Sequence, residues 1–187
     1  MSDTKYLTNQ FLIAMPGLTG SEFSKTVTYI CQHDEEGALG IVINRHNSLH
    51  MSDIFKRLEI TPKVATTSDI PLYSGGPVQE ERGFVLHQAK GQWDSSLQVN
   101  DGLALTSSKD IMQAIANNEG PENWLLALGY AGWGSGQLEE EIRQNSWLHG
   151  EADPGIIFDA MLEQRWQLAA ESIGVDISLM SNDVGHC

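Results

Sequence analysis

Four glycines in eight residues, Gly129-Tyr130-Ala131-Gly132-Trp133-Gly134-Ser135-Gly136, separate a strand-like run (Trp124 to Leu128) from a helix-like one. A phosphate-binding loop has this layout, because free backbone N–H groups and a positive helix terminus can face an anion there. The residues that follow oppose that chemistry. Glu139, Glu140 and Glu141 fall in the first turn of the next helix, where they complement the helix dipole and would repel a phosphate. No Lys follows the glycines, as a P-loop requires. Two readings stay open: glycines that allow close backbone packing around Tyr130 and Trp133, or a Gly/Tyr/Trp platform for a neutral or peptidic ligand.

Other chemistry finds less support. A nucleophile elbow needs Gly two residues either side of Ser. Ser135 has Trp133 and Gln137 there, and Ser74 has Leu72 and Gly76. Cys31 sits in an apolar run and reads as a buried, inert thiol. His46 and His50 have i, i+4 spacing, but Asn47-Ser48 between them reads as loop, so no metal site is expected. His33-Asp34-Glu35-Glu36 reads as a solvated turn, and His87 and His149 as structural histidines. No cofactor is expected.

Composition narrows the classes. The 187 residues suit one domain, with a core over residues 6–175 and a polar tail over 176–187. A net charge of −14, from 11 basic and 25 acidic residues, disfavours direct DNA binding. The modest basic candidates are Lys56-Arg57, with Arg45 nearby in sequence. No run approaches the roughly 18 apolar residues of a membrane span. Met1 to Gln10 is polar and lacks a signal-peptide layout, so a cytoplasmic protein without membrane attachment is expected.

The elements that must position these residues follow from periodicity and turn signals. Leu12 to Met15, Val27 to Cys31 and Ala38 to Ile43 read as strands, the third central and buried on both faces. His33 to Gly37 is read as the loop of a hairpin. Ser52 should cap a helix through Leu58, and residues 59–71 should form a surface connection. Leu72-Tyr73-Ser74 leads into a sharp Gly75-Gly76-Pro77 turn. Gly83 to His87 is a strand. Trp93 to Val99 and Leu103 to Leu105 form a hairpin about Asn100-Asp101-Gly102. Ser107 with Asp110 resembles a capping box for a helix through Ala116. A last helix carries Leu162, Trp166, Ala169 and Ile173 on one stripe and stops at Gly174. This is an α+β pattern, not a doubly wound one.

Several of these segments, in order, resemble the YqgE/AlgH family of bacterial proteins. They are Phe11 to Pro16, His33 with Gly37 to Arg45, Tyr73 to Val78, Gly129 to Trp133, Leu138 to Ile142, Asn145 to Trp147, and Phe158 to Trp166. The resemblance implies a compact α+β domain with a bifurcated, partly barrel-like, hairpin-rich sheet flanked by helices. It carries over no catalytic residue. Members are often labelled transcriptional regulators, which in a chain of this charge implies an indirect route through a protein or small-molecule partner.

The resulting expectation is a non-enzymatic cytoplasmic regulatory or binding module. Its surface would use Asn44, Arg45, Tyr73, Ser74, Gly75, Gly76, Tyr130, Trp133, Asn145 and Trp147. The alternative is an enzyme or small-molecule-binding protein using a Gly/Trp-lined cleft, with Arg45 anchoring an anion and His33 or His149 as base.

Overall fold

The computed structural model describes residues 6–18 and 22–180. Strands β1 (Gln10–Ala14), β2 (Val27–Asp34), β3 (Gly37–Val42) and β4 (His46–His50) precede helix α1 (Met51–Arg57). Next come β5 (Pro71–Ser74), β6 (Val78–Gln88), β7 (Ser96–Gln98), β8 (Leu103–Thr106) and α2 (Lys109–Ala116). Then follow β9 (Trp124–Gly134), α3 (Gln137–Arg143), β10 (Trp147–Glu151), α4 (Pro154–Phe158), α5 (Arg165–Ser172) and α6 (Ile177–Met180). Hairpin-linked antiparallel strands interspersed with helices make the fold α+β. Its contacts gather into two units, Met1–Asn44 with Ala131–Cys187, and Arg45–Tyr130.

In the first unit the ladder runs β10-β1-β2-β3 and ends on the second half of β9. The β2–β3 hairpin turns on Glu35-Glu36 alone, where Asp34 Oδ1 accepts the Glu36 N–H at 2.9 Å. The expected His33 to Gly37 loop is therefore shorter, because His33 and Asp34 continue β2. The β3 strand is central, yet only Gly40 to Val42 are buried, its first half being partly exposed. Trp133, Trp147, Leu138, Leu12 and Ile30 build one core, with Phe23 packed on it. Helix α5, expected as the last, is followed by α6 and starts later than its apolar stripe suggests, at Arg165, with a 3-10 turn at Leu162–Gln164 before it. The buried Arg165 fixes that start by donating to the carbonyls of Ile43 (2.6 Å) and Ala160 (3.2 Å). The expected polar tail is corrected at its beginning, since α6 buries Ile177. Residues 181–187 of that tail lie outside the described ones.

In the second unit β6 lies between β9 and β8, and β7 borders β8. The other edge of β9 takes β5 in parallel, Tyr73 opposite Ala127, and β5 takes β4. Leu72, Met51, Phe55, Ile111, Met112 and Leu126 lead its core. The β7–β8 hairpin turns at Asn100-Asp101-Gly102 as expected, with Asn100 Oδ1 accepting the N–H groups of Gly102 and Leu103. Both helix starts shift by one or two residues. His50, not Ser52, caps α1, and Asp53 accepts its N–H at 2.8 Å. Ser108, not Ser107, is the cap of α2. The 59–71 connection is not wholly superficial, for Ile60 is buried and Ala65–Asp69 forms a 3-10 turn. His46 and His50 lie on a strand instead of a loop. His46 stacks on Tyr73, while His50 is occupied at the helix cap.

The largest correction concerns the glycine stretch. β9 continues through it to Gly134, and only Ser135-Gly136 turn before α3. Gly132 and Gly134 pair with Leu39 and Gly37 of β3. A strand can use Gly at such spacing where another backbone comes close.

Candidate functional site

A cleft of about 330 Å³ opens on the second unit. Its floor is apolar: Ile54 and Leu58 around the end of α1, Val85 of β6, Met112 of α2, and Leu126 and Leu128 of β9. Its rim is cationic: Arg57, Arg82 and Lys109, with Ser107, Ser108 and Glu81 between. Each cation has a local reason for its place. Arg57 lies in the last turn of α1, where a positive charge complements the helix dipole. Lys109 opens α2 directly after its cap.

Arg82 is placed by a bulge. Val78 pairs with Tyr130 and Gly83 with Leu128, so Gln79 to Arg82 face only Gly129 across the ladder. Gly129 has φ +75°, and a Cβ there would collide with the Gly76 carbonyl and stand 3.2 Å from the Glu80 Cα. Gly75 is tight for a related reason, its own Cβ position falling on the Gly129 carbonyl. The Arg82 guanidinium donates to Ser107 Oγ (3.0 Å) and Gln79 Oε1 (3.3 Å), and lies 5.4 Å from the Phe84 ring centroid. Aromatic faces attract such a cation.

The N-terminus of α2 is already served by its own carboxylate. Burial pushes the Asp110 carboxyl up, but hydrogen bonds from Ser108 Oγ and the Asp94 and Ile111 N–H groups outweigh it and hold it below the usual range. Positive charge at the cleft therefore comes from the side-chain cations and not from the helix end.

Elsewhere in this unit His87 is buried and carries a short relay. Its Nδ1 lies 2.5 Å from the Gln88 carbonyl and must donate, which leaves Nε2 to accept from Thr106 Oγ1 at 2.7 Å. Thr106 Oγ1 in turn accepts from Ser96 Oγ at 2.6 Å. Burial pushes the His87 imidazole below its ordinary range, against the opposing effect of the Gln88 carbonyl. Ser96 lines a cavity of about 390 Å³ with His87, Trp93 and Gln98.

A family model described as AlgH-like matches residues 11–178. This chain belongs to the AlgH-like family. A UPF0301 protein of Methylococcus capsulatus is 54% identical over 99% of this chain and 98% of its own length. One of Thioalkalivibrio sulfidiphilus is 51% identical over the full length of both. The solution structure of the AlgH protein from Pseudomonas aeruginosa superposes with a TM-score of 0.81 and 44% identity, over 100% of this chain and 99% of that one. A Corynebacterium diphtheriae protein shares the fold at 20% identity and TM-score 0.74.

In this AlgH-like chain the ten expected surface residues divide between the two units. Asn44, Trp133, Asn145 and Trp147 belong to the first unit, and Arg45, Tyr73, Ser74, Gly75, Gly76 and Tyr130 to the second. Trp133 and Trp147 are only 7% and 4% exposed. They stack edge to face in the core and so do not form a flat ligand platform. Asn44 is spent on the backbone, accepting the Val27 N–H and donating to the Lys25 carbonyl. Asn145 is exposed with φ +60°, ending α3. Ser74 Oγ accepts from Asn47, and its N–H binds the Arg45 carbonyl. Tyr130 is half-buried, edge-on to Phe84.

Of the two suggested bases, His33 is engaged at both nitrogens. Nδ1 accepts the Leu7 N–H at 2.9 Å, so Nε2 carries the proton given to Glu139 Oε1 at 2.8 Å. His149 Nδ1 meets Gln10 Oε1 at 3.0 Å on the first unit's surface. Among the described residues no group of three His, Cys, Asp or Glu could hold a metal, and no helix is long and apolar enough to cross a membrane.

Arg82, Lys109 and Met112 escaped the sequence reading. They are separated by up to 30 residues and meet only because β6, β8 and β9 are adjacent strands. No local signal marked them; the fold gathers Arg82 and Lys109 with Arg57, three of the 11 basic residues, at one cleft.

Proposed function

We propose that this AlgH-like protein is a non-enzymatic cytoplasmic binding module that regulates indirectly, through a small ligand held in the cleft of its second unit. The observation that carries the reading is a cleft whose floor, from Ile54 to Leu128, is the apolar edge of the core and whose rim is polar, the usual make-up of a ligand pocket. Both ring nitrogens of His33 are engaged within the protein, which argues against its use as the base of an enzymatic alternative. The −14 charge favours a route that does not pass through direct DNA contact.

The test is titration of the full chain, carrying 13C-labelled Met and Ile methyl groups, with decanol. Shifts at Met112 and Ile54 are expected while the remaining methyl spectrum holds. No shift at those two methyls up to the solubility limit would remove the cleft from consideration. A DNA fragment should show no gel shift at low salt; a retained band would reinstate direct DNA contact.

The relay from Ser96 to His87 favours a second reading, a serine-dependent hydrolytic activity at the neighbouring cavity. Covalent labelling of Ser96 by a fluorophosphonate, lost in His87→Gln, would support it. An unlabelled Ser96 would dismiss it.

A further inference from the structure

We propose that the ligand of the cleft is an amphipathic anion, an aliphatic chain ending in a single carboxylate or phosphate. This rests on the reading of the cleft as a binding site and adds the chemistry of what enters. The floor asks for an apolar body, and about 330 Å³ lies at the lower end of the roughly 300–1,000 Å³ typical of small-molecule pockets. A short aliphatic chain fits such a space.

The sign of the head group follows from charge complementarity. Acidic residues outnumber basic ones by 25 to 11 in the whole chain, yet the cleft lining holds Arg57, Arg82 and Lys109 against Glu81 alone. Arg57 and Lys109 enter no ion pair among the described residues. Arg82 is the ordered member, held by Ser107, Gln79 and the Phe84 ring. A guanidinium presents a planar fork that suits carboxylate and phosphate oxygens, and Lys adds a mobile point charge. Because the Asp110 carboxylate already stands in the first turn of α2 and accepts the Ile111 N–H, an anion gains from these side chains and not from a bare helix end.

The experiment compares four ten-carbon probes below their micelle concentrations: decanoate, decyl phosphate, decanol and decyltrimethylammonium. Met112 and Ile54 methyl shifts report the cleft. At least one of decanoate and decyl phosphate should bind about tenfold or more tighter than decanol, with decyltrimethylammonium weakest and the preference shrinking as salt screens the rim. Which anion is tighter identifies the head group. In the double variant Arg57→Glu with Lys109→Glu, both positions being exposed, the anion preference should vanish and decanol affinity should hold. Equal binding of decanol and both anions would overturn the proposal while leaving the cleft as a binding site, as would a preference that survives the double variant. Failure of all four probes to move Met112 would overturn both.

Discussion

The Cα of Glu80 lies where a side chain on Gly129 would be, 3.2 Å from the position its Cβ would take. Gly129 thus makes room for the bulge that carries Arg82 to the cleft. Gly129→Ala combines a left-handed backbone (φ +75°) with a collision against the Gly76 carbonyl. It should lose roughly 1–3 kcal/mol of stability. Urea unfolding measures the loss, and a stability equal to the parent would show that the bulge yields freely.

Glu139 and His33 make a buried-to-surface pair, their side chains 27% and 1% exposed. Glu139→Ala leaves the Nε2–H of His33 without its acceptor, and stability should fall by about 1–3 kcal/mol. Glu139→Gln retains an acceptor oxygen and should lose less. Equal losses in the two variants, read by denaturant midpoints, would point to packing instead of the hydrogen bond.

Stability should fall on mild acidification because of His87. Burial lowers its folded pKa below the unfolded value of about 6.5, so the unfolded chain binds more protons between those two values. The stabilisation is complete above about pH 6.5 and is lost as pH falls toward the folded pKa. His87→Gln should flatten that part of the curve of unfolding free energy against pH. An unchanged slope would assign the acid sensitivity to other groups.

Trp133→Ala should cost roughly 3–5 kcal/mol, since the ring is 7% exposed and packed against Phe23 and Trp147. Calorimetry should show a large drop in melting temperature. A binding defect in this variant would then report lost folding, whereas a near-parental melting temperature would return Trp133 to the surface.

The sequence by itself determined the family, the α+β class and most of the strands, because short apolar, β-branched runs and turn residues are local signals. Asn100-Asp101-Gly102 and Gly174 were legible for that reason: a turn or helix stop depends on its own few residues. The place of Glu139 and Glu140 in the first turn of the helix after the glycines was also legible, though their partners were not. Glu139 meets His33 and Glu140 meets Arg143.

Only the tertiary structure decided what the glycines are for. A run of Gly with Tyr and Trp is ambiguous between loop and strand, since Gly weakens the periodic signal. The pairing of Gly132 and Gly134 with β3 resolves it as strand. Trp133 and Trp147 became core residues because their neighbours arrive from distant segments, Phe23 among them. The cleft was equally invisible. Arg57, Arg82 and Lys109 span 52 residues of sequence, and no local pattern encodes a meeting that depends on strand adjacency and on one glycine's missing side chain.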